Sequence, residues 1–187
     1  INFGYPIAAD MQSGLFYLPT VIFTAACNYN AHTATAEFLF HIVAGALGCY
    51  FLILQLTKNK MVALIAALSY SCNGVYIGNA QHLSWVIGTA WLPWTLLTFI
   101  CFAKRPAFKN LLSCSLVLNF MITGAYPAIS IISFYFLMAL AFYLLITRQV
   151  ELKKFSFHSV VLLITTMMLC SGFIFSIWQS LPFIERS

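Results

Sequence analysis

Long apolar runs alternate with short polar connections along almost the whole chain. Read at helical period, the pattern predicts six spans, at about 33–57, 61–79, 83–103, 110–125, 127–147 and 158–179. Each is long enough, or nearly so, for a helix to cross a hydrocarbon core roughly 30 Å thick. Strands of a membrane barrel would alternate over about ten residues, and these runs do not alternate. A seventh stretch, 14–27 (GLFYLPTVIFTAAC), is apolar but short, which suits a juxtamembrane helix at an interface.

The connections come in two kinds. KNK (58–60), KRPAFK (104–109) and RQVELKK (148–154) hold eight of the nine cations. NAQH (79–82), GAYP (124–127) and LPFIERS (181–187) hold only Arg186. The positive-inside rule places the first set in the cytoplasm and the second outside. Six spans in that orientation put both chain ends outside, residues 1–32 included. The economical reading is a fragment with at least one span upstream of Ile1. Two units follow: an extracytoplasmic loop with its juxtamembrane helix over 1–32, and one membrane domain over 33–187.

Composition agrees. Hydrophobic residues make up 62% of the 187, charged residues 7%, and mean hydropathy is +0.93. Water-soluble domains carry about 25% charged residues, so a soluble fold is excluded. The net charge of +5 reflects loop cations and gives no nucleic-acid signal. The six cysteines are scattered singly without metal-ligand spacing, and read as small packing residues. Gly74 with Gly78, and Ala44 with Gly48, have the small-xxx-small spacing that lets helices approach closely. Pro93, between Trp91 and Trp94, is expected to kink the third span.

Polar groups at membrane depth are costly, so they are candidates for function. Glu37 and His41 lie four apart on one helical face. They suit a shared proton, the lining of a wet cavity, or a satisfied pair that locks two helices. Ser69 with Asn73, and Asn119 with Thr123, repeat the spacing and read as packing hydrogen bonds. Asn79, Gln81, His82 and Ser84 crowd one outer turn; Tyr126 and Pro127 form the next. With Asp10, Gln12 and Ser13 these would make a polar, aromatic-lined cavity open to the outer surface. It would suit an amphipathic ligand such as a sugar on a lipid phosphate. No nucleotide loop, GxSxG or HExxH motif is present.

Five pieces, in order, resemble the YfhO-type bacterial membrane proteins: GYPIAADMQSGLFYLP; FHIVAGALGCYFLILQLT; ALIAALSYSCNGVYIGNAQHLSWVIGTAWLPW; ITGAYPAIS; and LPFIERS. Leu18 between Tyr17 and Pro19 departs from that family's pattern, as does GAYP, which lacks a polar group beside the expected site. The resemblance implies an all-α, GT-C-like transmembrane helix bundle in the bacterial cytoplasmic membrane. It further implies a glycosyltransferase with a polyprenyl-phosphate sugar donor and an extracytoplasmic acceptor: a cell-surface glycan, a teichoic acid or a lipid.

In that class an outer-loop carboxylate takes the proton of the acceptor hydroxyl, and Asp10 is the matching candidate here. A catalytic carboxylate upstream of Ile1, or a purely structural Asp10 that fixes the loop or caps near Ser13, are the alternatives. Gln12, Ser13, Gln81 and Tyr126 fall to sugar binding, Tyr17 to stacking on a sugar ring, and His82 to the donor phosphate. Glu37 and His41 line the same site. A divalent metal (Mg or Mn) is an optional cofactor, and membrane lipid the other partner. Two rival readings stay open: a transporter or flippase of an amphipathic solute using Glu37 and His41, and a non-catalytic scaffold with the same fold.

Overall fold

The computed structural model describes residue 10 and residues 13–180. Asparagine starts three of its helices, because its side-chain oxygen accepts from the first free backbone amides of a helix. Asn30 Oδ1 takes the amides of His32 (2.9 Å) and Thr33 (3.0 Å) and opens α2 (Ala31–Thr57). Asn59 does the same for α3 (Lys60–Ser71), and Asn73 for the five-residue α4 (Gly74–Gly78). Proline, which lacks an amide to satisfy, sits in the first turn of α1 (Leu18–Cys27) and of α7 (Pro127–Ile146). The remaining helices are α5 (Leu83–Lys104), α6 (Phe108–Gly124), α8 (Leu152–Leu169) and α9 (Ser171–Ser180). No strand occurs among the described residues.

Five segments are long and apolar enough to cross a membrane: Ala31–Thr57, Lys60–Gly78, Leu83–Lys104, Pro127–Ile146 and Leu152–Leu169. The all-α, multi-pass reading holds on that count. The expected span at 110–125 is α6, whose 17 residues extend roughly 26 Å, a little short of the hydrocarbon core. The expected span at 158–179 begins earlier, at Leu152, and is interrupted at Cys170. Its first turn carries Lys153 and Lys154, and Lys154 pairs with Glu151 at 2.9 Å. Charges at the mouth of a span do not end its helix. The juxtamembrane helix starts at Leu18 rather than Gly14, since Gly14 takes φ +65° in a turn closed by Tyr17 N–H to Gly14 C=O at 3.0 Å.

The core sits around α5. More than half of its most apolar window is buried (56%), against 11–28% in the other four spans. Helix α2 packs on one side of α5, α6 and α7 on others, and α8 lies against α6. Phe99, Phe102, Cys114, Leu137 and Leu162 bring α5, α6, α7 and α8 into one cluster. The outward faces of α7 and α8 expose Phe134, Tyr135, Phe142, Leu163 and Met168, as a lipid-facing surface requires. All six cysteines are free: Cys49, Cys114 and Cys170 pack inside, whereas Cys27 and Cys72 are exposed.

One expectation about close packing changes and the other, at Ala44 and Gly48, stands. A Cβ placed on Gly74 or Gly78 would meet nothing within 4 Å, so that pair is no helix contact; both residues lie at the ends of α4. The crowded glycines include Gly48, where the sequence spacing expected it. A Cβ on Gly48 would lie 2.6 Å from Trp94, one on Gly45 would lie 2.1 Å from the Tyr76 hydroxyl, and one on Gly124 would lie 2.6 Å from the Tyr17 ring. Helix α5 also runs unbroken through Pro93. Proline supplies no N–H to the carbonyl four residues back, here Thr89. The Tyr70 hydroxyl donates to that carbonyl at 2.7 Å, which replaces the missing helical bond from a neighbouring helix.

Candidate functional site

The buried positions of α2 include Thr33, Glu37, His41, Gly45 and Cys49, one face at four-residue spacing. Glu37 and His41 are fully buried on it. A buried carboxylate without donors would be prohibitively costly. Glu37 has two: the Thr20 hydroxyl on Oε1, from α1, and the Tyr29 hydroxyl on Oε2 at 3.1 Å, from the turn before α2. Helix α1 is thereby tied to α2 by a carboxylate rather than by apolar contact alone.

His41 does not bond the Glu37 carboxylate. Its Nδ1 lies 2.7 Å from the Glu37 main-chain carbonyl, which only accepts, so Nδ1 carries the proton. In the neutral ring Nε2 is then an acceptor, and the Tyr17 hydroxyl 2.6 Å away donates to it. Trp91 Nε1–H of α5 in turn donates to the Tyr17 oxygen at 2.5 Å. The chain has one consistent direction: indole N–H to phenol oxygen, phenol O–H to imidazole, imidazole N–H to backbone. Tyr17, just ahead of α1, meets the Phe120 ring edge-on at 5.9 Å. It thus plugs the N-terminal loop into a junction of α2, α5 and α6.

Burial raises the Tyr17 phenol far above its usual range; the Trp91 hydrogen bond opposes this and the Glu37 charge adds to it. Tyr29 is pushed up to about 12, by burial first and then by the charge and hydrogen bond of Glu37. Both phenols are therefore neutral donors at any physiological pH.

Beside this cluster lies a cavity of about 620 Å³, between the 13–15 turn, α1, Tyr29 and the start of α5. Hydroxyl residues Ser13, Thr20, Thr24, Tyr29 and Ser84 share its wall with Leu15, Val21 and Ile87. Thr20 and Tyr29 belong to both places: they line the cavity and hold Glu37, so the carboxylate stands one side chain behind the wall.

The residues singled out in the sequence scatter around this centre. Ser13 lines the cavity, and Tyr17, Glu37 and His41 converge next to it. Tyr17 is fully buried, so its ring is not presented to a sugar face; its hydroxyl serves His41 instead. Glu37 and His41 likewise do not line open space. Asp10 is half-buried in the preceding loop, with its carbonyl accepting from Ser13 N–H at 3.1 Å. Gln12 and Arg186 lie outside the described residues. Gln81 and His82 are exposed in the turn before α5 and do not line the cavity. Tyr126 stacks on Trp85 at 5.0 Å, and its amide bonds the carbonyl of the cavity residue Ser84 at 3.0 Å. Asn73 caps α4 rather than pairing with Ser69.

Thr20 and Tyr29 are the site residues that the sequence did not announce. Their only local signal is a hydroxyl in an otherwise apolar segment. Among the described residues no group of three or more His, Cys, Asp or Glu could hold a metal ion, so a divalent metal finds no ready ligand set there. No family model, curated protein or solved structure matches the chain.

Proposed function

We propose that the chain is the membrane domain of a glycosyltransferase that receives a sugar on a polyprenyl phosphate in the 620 Å³ cavity. The observation that supports this reading is the wall of that cavity, which five hydroxyl residues share with apolar side chains beside a buried carboxylate. Hydroxyls suit the hydrogen-bonding edge of a sugar, and the apolar wall suits the first units of a prenyl chain. In this reading the polar-loop end faces out of a bacterial cytoplasmic membrane, and the family is the YfhO-type, GT-C-like one that the five motif pieces resemble. The acceptor is an extracytoplasmic glycan, teichoic acid or lipid.

The chemistry asked of the site is modest. A carboxylate takes the proton of the acceptor hydroxyl as its oxygen bonds to the anomeric carbon, and the sugar–phosphate bond breaks with its electron pair leaving on the lipid phosphate. Asp10, in the loop that leads to the cavity, is the candidate base. Glu37 is committed to Thr20 and Tyr29 and acts as a positioning residue for the hydroxyl wall.

The test is transfer of labelled sugar from polyprenyl-phosphate donors in membranes containing the full-length protein. Asp10→Asn is expected to lower turnover at least a hundredfold at unchanged expression, in line with loss of a general base. Glu37→Gln is expected to raise KM more than it lowers kcat. Full activity in Asp10→Asn would move the base outside this loop, and absence of transfer by the wild type with every donor would refute the enzyme reading.

A further inference from the structure

The opposite end of the bundle holds a second cavity, of about 350 Å³, where α5 ends and α8 begins. Lys104, Arg148, Lys154 and His158 line it, with Glu151 as the lone acid. Glu151 pairs with Lys154 at 2.9 Å. That is the single ion pair among the described residues, so Lys104 and Arg148 have no counter-charge there. Three cations against one carboxylate leave the cavity at +2, without counting the imidazole. Arg148 is also held at φ +52°, a left-handed conformation that long side chains seldom adopt.

The floor is apolar. Phe102 and Ala103, both buried, and Phe155 lie beneath the charged rim. The level of the cavity matters as much as its charge. Helix α5 ends at Lys104, α7 at Ile146, and α8 starts at Leu152, so the rim lies at the depth where three helices leave the hydrocarbon. About one turn deeper, Phe142 and Phe157 are exposed, as is Ile146 at the end of α7, which offers an apolar flank for acyl chains.

We propose that this cavity binds the phosphate of an anionic phospholipid head group, with Lys104 and Arg148 as its principal charge partners. A phosphate diester matches what is there: an anion with several acceptor oxygens, delivered at head-group depth, with glycerol and acyl carbons to cover the Phe102 and Phe155 surface. A free inorganic phosphate would meet the same cations but leave the apolar floor wet. Basic pockets between spans commonly recognise lipid head groups on this charge logic. The site is independent of the transfer reaction, since it lies at the other end of the helices.

The experiment uses the purified full chain in a neutral detergent, titrated with fluorescent phosphatidylglycerol and, separately, fluorescent phosphatidylcholine. Phosphatidylglycerol is expected to bind more tightly. The double variant Lys104→Gln/Arg148→Gln should weaken it about thirtyfold, taking each cation at its usual worth near an anionic surface. Glu151→Gln should tighten it about fivefold, a gain that misfolding cannot mimic. Lys58→Gln removes a cation from another basic loop, where Lys58 bonds Gln55, and should change nothing. Equal binding of the two lipids, or a double variant that binds like wild type, would overturn the proposal. So would a Lys58→Gln loss as large as that of the double variant. Displacement of the bound lipid by millimolar inorganic phosphate would assign the cations to a free anion and overturn the lipid.

Discussion

Replacing Tyr70 with phenylalanine removes one hydroxyl, and the cost of doing so depends on a residue in another helix. Pro93 leaves the Thr89 carbonyl without a helical donor, and Tyr70 supplies one at 2.7 Å. Hydrogen bonds between membrane helices average about 0.6 kcal/mol and reach about 1.7. A half-buried carbonyl left unpaired adds about 1 kcal/mol or more. Tyr70→Phe alone is thus expected to cost about 1–2 kcal/mol. In a Pro93→Ala background the new amide reaches Thr89 from within α5, and the same change should cost under about 0.5 kcal/mol. The four proteins of this cycle can be unfolded reversibly in mixed micelles, followed by far-ultraviolet circular dichroism. The volume lost with the proline ring cancels in the cycle, leaving a coupling of about 1 kcal/mol. Equal costs of Tyr70→Phe in both backgrounds would refute the account of how α5 tolerates its proline.

Three further outcomes follow from the same geometry. Tyr17→Phe leaves Trp91 N–H and His41 Nε2 without each other's bridge, so it should destabilise the chain by about 2 kcal/mol; a loss below about 0.5 in the same unfolding assay would argue that Tyr17 is not buried in the junction. Nitrogen-15 NMR of labelled histidine should find His41 as the Nδ1–H tautomer, and an Nε2–H resonance for that residue would refute the chain from Trp91 to Glu37, because it would leave Nδ1 and the Glu37 carbonyl as two facing acceptors. Gly45→Ala and Gly48→Ala should each cost about 1–3 kcal/mol through overpacking against Tyr76 and Trp94. Gly74→Ala and Gly78→Ala should be neutral or stabilising by up to about 1 kcal/mol, and a reversed ranking of the two pairs would refute the assigned packing of α2 against Tyr76 of α4 and Trp94 of α5.

How much of this was legible in the chain beforehand differs from residue to residue, and the difference is physical. The long apolar runs name helices because a membrane leaves the backbone no other economical way to satisfy itself; α2, α5 and α7 lie close to where the pattern places them. The ends are harder. Lys153 and Lys154 look like loop residues, yet they continue α8 inward from Leu152, since a cation at a span mouth can sit in a helix and still reach water. The GxxxG spacing of Gly74 and Gly78 was visible but empty of meaning, because only a partner helix makes it a contact, and Asn73 interrupts the helix just before it.

The site shows the same limit more sharply. Four-residue spacing put Glu37 and His41 on one face, which is all that a helix can promise; it did not decide that His41 would turn its Nδ1 back to the Glu37 backbone rather than to the carboxylate. A buried polar group demands a partner, so the demand is local and readable. The partner is not local: Trp91 stands 74 residues from Tyr17, and Thr20 17 residues from Glu37. Thr20 and Tyr29 are ordinary hydroxyls until α1 folds back onto α2, and that return is set by a turn at Gly14 and by Tyr17 finding its socket. Asp10 attracts notice in the sequence because it is rare, whereas Glu37 is the acid that the fold encloses. Rarity in sequence and enclosure in the fold are separate properties. On the proposed transferase reading, comparing Asp10→Asn with Glu37→Gln would therefore separate a residue assigned to the chemistry from one assigned to holding the wall beside it.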